Sequence, residues 1–136
     1  MDLITSMKLA AAGLKAQTGR MRVITENIAN ASSTPSRPGE DPYKRKIPTF
    51  RQVFDREIGA TVVKTGPIKH DQSAFGKRYE PGHPAADEQG YVKIPNVNTL
   101  IETMDMREAQ RSYEANLNVI SATRRMLART LDILRA

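Results

Sequence analysis

The chain has 136 residues, a net charge of +6 and 39% hydrophobic residues, with three Phe, no Trp and no Cys. This hydrophobic content is below the ~45–50% of average globular chains, so we expect one domain with a thin aliphatic core. The absence of Cys excludes disulfides, cysteine nucleophiles and cysteine-ligated zinc. Such a composition suits paired helices and assemblies better than a sandwich or a barrel.

The positive charge is spread along the chain. It is +2 over residues 1–31 (four basic, two acidic), +3 over 32–96 (eleven, eight) and +1 over 97–136 (six, five). Nucleic-acid binders usually concentrate their basic residues, so we interpret this charge as a solvated surface. No apolar run approaches the ~18 residues of a membrane span. Asp2, Ser6 and Lys8 are atypical of a secretory signal, so any export is expected to occur without cleavage of such a signal.

Residues 2–31 are predicted to form the first helix. One row of side chains, spaced alternately four and three residues apart, is apolar except for Gln17 and comprises Leu3, Met7, Ala10, Leu14, Gln17, Met21, Ile24, Ile28 and Ala31. We call this row the N-terminal seam. A strict heptad spacing predicts a left-handed supercoil with a partner helix. Gly13 and Gly19 each cost ~1 kcal/mol relative to Ala, so the order of this helix is expected to depend on packing.

Residues 32–96 have a different composition, with all eight Pro and six of the eight Gly. Pro35 ends the first helix, because residues before proline avoid the helical conformation. Extended runs over residues 43–47, 60–64 and 91–94 predict a small β-containing segment. Residues 51–58 are interpreted as a short helical turn.

Residues 97–136 contain neither Pro nor Gly and are predicted to form one long helix. Its heptad row, the C-terminal seam, consists of Met106, Gln110, Tyr113, Leu117, Ile120, Arg124, Leu127, Leu131 and Leu134. Forty residues at ~1.5 Å each give a rod of roughly 60 Å, which needs a partner along its length. Asn96 or Asn98 is the expected N-cap, and Thr99-x-x-Glu102 matches a capping box.

The fold class predicted from these elements is mainly α. Both helices join the central segment, so a pairing within the chain must be an antiparallel, coiled-coil-like pair. The predicted organisation is an N-terminal helix over 1–31, a Pro/Gly-rich β-containing segment over 32–96 and a C-terminal helix over 97–136. Four amides, Asn27, Asn30, Gln110 and Asn116, are either buried contacts that fix the register of the pair or exposed helical amides.

The sequence offers little for catalysis. His70 and His83 are interpreted as exposed loop histidines, since their spacing from Asp71 and Asp87 fits no metal-ligand pattern. No serine lies in a nucleophile elbow and no glycine-rich phosphate loop is present. We therefore expect neither enzymatic activity nor a catalytic, cofactor or metal site.

Two basic features leave alternatives open. Lys44, Arg45 and Lys46 could contact phosphate, nucleic acid or lipid, but we favour the solvated face of a strand or a contact with an acidic neighbouring subunit. The Arg-rich end of the last helix suits the helix dipole and leaves a membrane-surface helix as an option. The alternative functions are therefore a basic helical protein that binds nucleic acid and an adaptor at a membrane surface.

The two ends of the chain resemble the flagellar axial proteins, the rod and hook class. Residues 25–31 (TENIANA) resemble the N-terminal signature of that class, and residues 104–116 (MDMREAQRSYEAN) its C-terminal signature. Residues 42–46 (PYKRK), 79–84 (YEPGHP) and 90–98 (GYVKIPNVN) narrow the resemblance to proximal-rod members. Together the motifs extend over nearly the whole chain.

This resemblance implies a structural subunit of the bacterial flagellar basal-body rod that crosses the periplasm and transmits motor torque. It implies export by the flagellar type III apparatus without signal cleavage. The implied partners are the other proximal-rod proteins, the distal rod and the MS-ring side, with neither nucleic acid nor membrane insertion. The expected subunit-interface residues are Leu3, Met7, Leu14, Met21, Ile24, Asn27, Ile28, Asn30, Met106, Gln110, Tyr113, Asn116, Leu117, Ile120, Leu127, Leu131 and Leu134.

Overall fold

The computed structural model describes residues 2–135 and contains a long helix near each end of the chain with short strands between them. The elements are α1 (Leu3–Asn30), β1 (Lys46–Ile47), β2 (Phe50–Asp55), β3 (Ala60–Thr65), β4 (Lys69–His70), β5 (Gly76–Tyr79), β6 (Tyr91–Ile94) and α2 (Thr99–Arg135). Two terminal helices with a small central β-containing region confirm the coarse prediction of fold class.

Helix α1 begins at a side-chain cap. The backbone N–H of Thr5 donates to Asp2 Oδ1 at 2.6 Å, which satisfies one of the free donors at the start of a helix. The Thr5 donors lower the pKa of the Asp2 carboxyl. At the other end, the Ser33 N–H donates to the Asn30 carbonyl at 3.1 Å. The helix therefore matches the predicted bounds to within one residue.

Helix α2 is capped by Asn98. Its Oδ1 accepts hydrogen bonds from the N–H groups of Leu100 and Ile101, at 3.0 and 3.4 Å. The predicted capping box of Thr99 and Glu102 is wrong, because Thr99 already belongs to the helix and the Glu102 carboxylate is bonded elsewhere.

The strands form three separate antiparallel pairs, β1–β4, β2–β3 and β5–β6. The expected helical turn over residues 51–58 is wrong, because Phe50–Asp55 pairs along its whole length with Ala60–Thr65. The reversal between them is built from Asp55, whose Oδ1 accepts the Glu57 N–H at 3.0 Å, and from Gly59 at φ +69°. Strands β4 and β5 were not predicted, and only Lys46–Ile47 of the run over 43–47 is a strand.

The chain divides into two compact units. Unit 1 consists of Met1–Met21, Thr49–Pro67 and Arg107–Ala136. Its buried side chains are small, namely Ala10, Ala16, Val62, Ala109 and Thr123. Glycines allow close approach here: a Cβ added to Gly13 would lie 2.7 Å from Asn116 Oδ1, and one added to Gly19 would lie 2.7 Å from Thr65 Cγ2.

Unit 2 consists of Arg22–Pro48 and Ile68–Met106. It buries Val23, Ile24, Ala85 and Val92 together with two polar side chains, Asn27 and Glu102. The rings of Tyr79 and Tyr91 meet edge to face across β5 and β6, with centroids 5.3 Å apart.

His83 corrects one prediction made from the sequence. It is half-buried rather than exposed, and its Nδ1 accepts the Ala85 N–H at 3.0 Å. Its other ring nitrogen, Nε2, forms a hydrogen bond with Thr34 Oγ1 at 3.1 Å. His83 is thus a structural link between two loops of unit 2, whereas His70 is exposed on β4.

Candidate assembly interface

The predicted interface residues differ widely in burial. Ile24 and Asn27 are buried, and four residues, Gln110, Leu117, Leu131 and Leu134, are exposed. The remaining members are half-buried, namely Leu3, Met7, Leu14, Met21, Ile28, Asn30, Met106, Tyr113, Asn116, Ile120 and Leu127. The set therefore includes side chains packed within the chain and side chains that have most of their surface in solvent.

The buried face of α2 coincides with the predicted C-terminal seam at every second member of that row and differs from it at the others. Glu102, Ala109 and Thr123 are 1%, 0% and 5% exposed, and together with half-buried Asn116 they recur every seven residues. The prediction placed Gln110, Leu117 and Arg124 on this face, one residue further along, and all three are exposed. The buried positions of α2 thus recur every seven residues and are occupied by small or polar residues.

Large apolar side chains are left exposed on α2. In unit 1, Leu117 is 45%, Met126 54%, Leu131 61%, Ile133 75% and Leu134 77% exposed. In unit 2, the first turns of the helix expose Leu100, Ile101 and Met104, at 69%, 51% and 64%. Exposed apolar side chains in such number on one helix are typical of protein–protein contact sites.

Asn27 is the centre of a buried polar cluster in unit 2. Its Nδ2 donates to the Lys46 carbonyl at 2.8 Å and to Glu102 Oε2 at 3.0 Å. Its Oδ1 accepts the Lys46 N–H and the Tyr43 hydroxyl, both at 2.9 Å. Both donors and both acceptor sites of the amide are thus used, so Asn27 fixes the position of α1 relative to β1 and to the start of α2.

Glu102 and Arg45 add charge to this cluster. Arg45 Nε donates to Glu102 Oε1 at 2.5 Å, and Asp71 and Asp105 lie 3.5 and 3.9 Å from the guanidinium. Burial acts to lower the pKa of Arg45, but the bond to Glu102 and the three carboxylates outweigh it and raise the pKa. The backbone N–H of Ser73, its hydroxyl and Arg45 lower the pKa of Asp71.

The basic run at Lys44, Arg45 and Lys46 is therefore not a free patch. Lys46 pairs with Glu26 on α1, and the Lys44 ammonium lies 5.9 Å from the centroid of the Phe75 ring. The expectation of a solvated strand face or an acidic neighbouring subunit is wrong for Arg45 and Lys46, because their acidic partners belong to the same chain. Pairs so distant in sequence, such as Arg45 with Glu102, leave no local signal that could have revealed them.

Titration of Tyr43 provides a test of the cluster. Burial, together with the charges of Glu26 and Glu102, raises the pKa of its hydroxyl from 10.0 to about 12. Because the folded state holds this proton more tightly, its contribution to stability is complete below pH 10.0 and is lost as the pH rises towards about 12. We expect the tyrosinate absorbance that is lost in Tyr43→Phe to titrate at about pH 12. A difference between the two proteins centred near pH 10.0 would contradict the burial of this hydroxyl.

In the part of the chain that the structure describes, no group of three or more His, Asp or Glu residues could hold a metal ion. None of the helices described there is long and apolar enough to cross a membrane. The features that the structure does show are the exposed apolar side chains of the helices and the buried polar cluster of unit 2.

Comparison with known proteins shows which class of proteins this chain resembles. Residues 88–133, which include most of α2, match the family model for the C-terminal region of the flagellar basal body rod FlgEFG proteins. The region that includes most of the exposed apolar side chains of α2 thus has the sequence pattern of flagellar rod proteins.

Relatives identify the family within that class. The chain is 51% identical over 134 residues to the flagellar basal-body rod protein FlgC of Agrobacterium fabrum, covering 98% of this chain and 96% of that protein. It is 36% identical to the FlgC proteins of Aquifex aeolicus (97% of both chains) and Salmonella typhimurium (98% of both). The chain belongs to the FlgC family of flagellar basal-body rod proteins. This family is structural and not enzymatic, as the sequence predicted.

Proposed function

We propose that this protein is a subunit of the proximal part of the flagellar basal-body rod, polymerising through its terminal helices and transmitting motor torque. The observation that carries the proposal is the exposed apolar surface of α2, where Leu131 and Leu134 are 61% and 77% exposed. Burying one such side chain contributes ~1.5–3 kcal/mol, which a neighbouring subunit would supply. Torque transmission requires stiff packing between subunits and no catalytic group.

An antiparallel, coiled-coil-like pairing of α1 and α2 is part of the proposal. Within unit 1, Gly13 faces Asn116, and Arg20 Nη2 lies 3.6 Å from Glu108 Oε2. The position on α2 therefore falls as the position on α1 rises, as antiparallel helices require. We retain the division into an N-terminal helix (1–31), a central segment (32–96) and a C-terminal helix (97–136) as part of this proposal.

The register between these helices carries the end of α2 past the first residue of α1. Ten residues back from Gly13 is Leu3, where α1 begins, and ten residues on from Asn116 is Met126. Residues 127–135 therefore extend past the start of α1, and we call them the overhang. Its Leu131 and Leu134, one turn apart, are the apolar side chains that we propose a neighbour's helix covers. A contact of this heterologous kind that does not close on itself builds a helical filament.

The partners and location follow from the same proposal. The partners are the other proximal-rod proteins, the distal rod and the MS-ring side, with the flagellar type III apparatus as the export route. The protein would lie in the part of the basal body that crosses the periplasm, exported without a cleaved signal. The seam residues of α1 and the exposed residues of α2 would form contacts within and between subunits. The amides of Asn30, Gln110 and Asn116 are proposed to fix register.

The experiment that tests this function is Leu117→Asp. Leu117 is 45% exposed, so the substitution should lower the free energy of unfolding by only about 1–2 kcal/mol. We expect loss of swimming with the protein still made and folded. Ile24→Asp also should stop swimming, but Ile24 is 2% exposed and its replacement would destabilise the chain itself.

The matched control is Asn118→Asp, which adds the same charge at the next position, where the side chain is polar and exposed. It should leave swimming intact. Normal swimming of the Leu117→Asp strain, with the variant present at wild-type levels, would refute assembly through this face of α2.

A further inference from the structure

Unit 1 contains a groove between α1 and the β2–β3 hairpin, with a volume of about 250 Å³. Ala12 and Ala16 line it from the helix, and Val63 and Thr65 line it from the hairpin. These four lining side chains are small and mostly apolar. The strand approaches the helix closely, because Thr65 lies against Gly19. The groove lies outside the predicted seam residues.

Three cationic side chains also line the groove: Lys15 of α1, Arg51 of β2 and Lys64 of β3. All three are exposed, and none has a salt bridge to any side chain between Asp2 and Arg135. Arg51 and Lys64 are direct partners in the strand register. Like charges placed directly opposite each other destabilise a strand pair, so this arrangement is unfavourable until an anionic group lies between them.

We propose that the groove docks an acidic segment of a different polypeptide. Carboxylates would lie among Lys15, Arg51 and Lys64, and an apolar side chain would contact Ala12 and Val63. Charge-assisted hydrogen bonds from lysine and arginine to carboxylates are stronger than neutral ones, and apolar walls beside the charges reduce their competition with water.

The α2 helix of a second copy is a poor source of this segment. Asp105 and Glu108, one turn apart on α2, each lie near an arginine of the same chain, at 3.9 Å from Arg45 and 3.6 Å from Arg20. The overhang contains Arg129 and Arg135 against Asp132 alone, so it would be repelled. The chain as a whole has a net charge of +6, so charge complementarity favours a more acidic partner over a second copy. The inference rests on the proposed function only in placing the chain among other rod subunits.

Binding by the purified full-length protein tests the groove directly. The probe is a fluorescent peptide of alternating Glu and Leu residues, compared with the same peptide containing Gln for Glu. We expect the Glu peptide alone to bind and its affinity to fall as salt rises. Lys15→Glu with Lys64→Glu should weaken binding by about tenfold or more.

The control is Lys69→Glu with Lys77→Glu, which changes the net charge equally at exposed positions of unit 2 and should bind like wild type. Equal binding by both double variants would overturn the inference. Tighter, Lys15- and Lys64-dependent binding of single-stranded DNA or of phosphatidylglycerol vesicles would also overturn it, in favour of another class of partner.

Swimming separates this inference from the proposed function. The Lys15→Glu, Lys64→Glu strain should swim poorly, and suppressors that replace acidic residues by basic ones in another rod protein would support the groove. Normal swimming of this strain while Leu117→Asp does not swim would overturn the groove alone. Normal swimming of both strains would overturn the proposed function as well.

Discussion

Glu102→Ala is expected to lower the free energy of unfolding by about 3–5 kcal/mol, the usual cost of removing one partner of a buried ion pair. Glu102 is 1% exposed, and its carboxylate accepts from Asn27 Nδ2 at 3.0 Å and from Arg45 Nε at 2.5 Å. Alanine leaves both donors without this acceptor, and it leaves a cavity between α1, β1 and the first turn of α2. Urea unfolding of the purified chain measures the loss.

Two further variants make the result specific. Glu102→Gln keeps an acceptor oxygen but removes the charge, so it should cost about 1–3 kcal/mol. Glu114→Ala removes an exposed glutamate from the same helix and should change stability by less than about 0.5 kcal/mol. If Glu102→Ala is no more destabilising than Glu114→Ala, the cluster does not hold unit 2 together.

The sequence was a good guide to the helices because their signals are local. Pro35 and Pro95 exclude helix on either side of the central segment, and the heptad spacing marks both α1 and α2. The structure gives Leu3–Asn30 and Thr99–Arg135, close to the expected 2–31 and 97–136. The strands were harder, because pairs such as Lys46 with His70 and Gly76 with Ile94 join distant parts of the chain.

The sequence was a poorer guide to which side chains of α2 are buried within the chain, because the prediction gave most weight to large hydrophobic residues. The heptad rule selected Leu117 for the buried row of α2, whereas the buried positions are the smaller Ala109 and Thr123. Small residues let two helices approach closely, and a search for hydrophobic periodicity does not detect positions that are buried for this reason. Glu102 matched a capping motif, but its burial depends on Arg45, far away in the sequence. Asn27 was correctly placed among the buried amide candidates, although its partners were not predictable.

Replacing both Leu131 and Leu134 by Asp in the overhang is expected to abolish swimming and leave the isolated chain folded. The two side chains are 61% and 77% exposed, so the single chain gains little from them. If a neighbour's helix covers both leucines in the rod, their replacement removes about 3–6 kcal/mol of apolar burial from each contact between subunits. The two new carboxylates would also have to be desolvated for the contact to form. Circular dichroism of the purified variant and swimming of the strain are the measurements.

Arg129→Asp is the control, because it changes the net charge by the same two units as the double variant. Arg129 lies about 160° around the helix from Leu131, on the side away from the proposed contact. We expect it to retain swimming, since a solvated charge contributes little to packing. Normal swimming of the Leu131→Asp, Leu134→Asp strain would mean that the overhang stays solvated in the rod. The exposed leucines at the end of α2 would then need an explanation other than a neighbouring subunit.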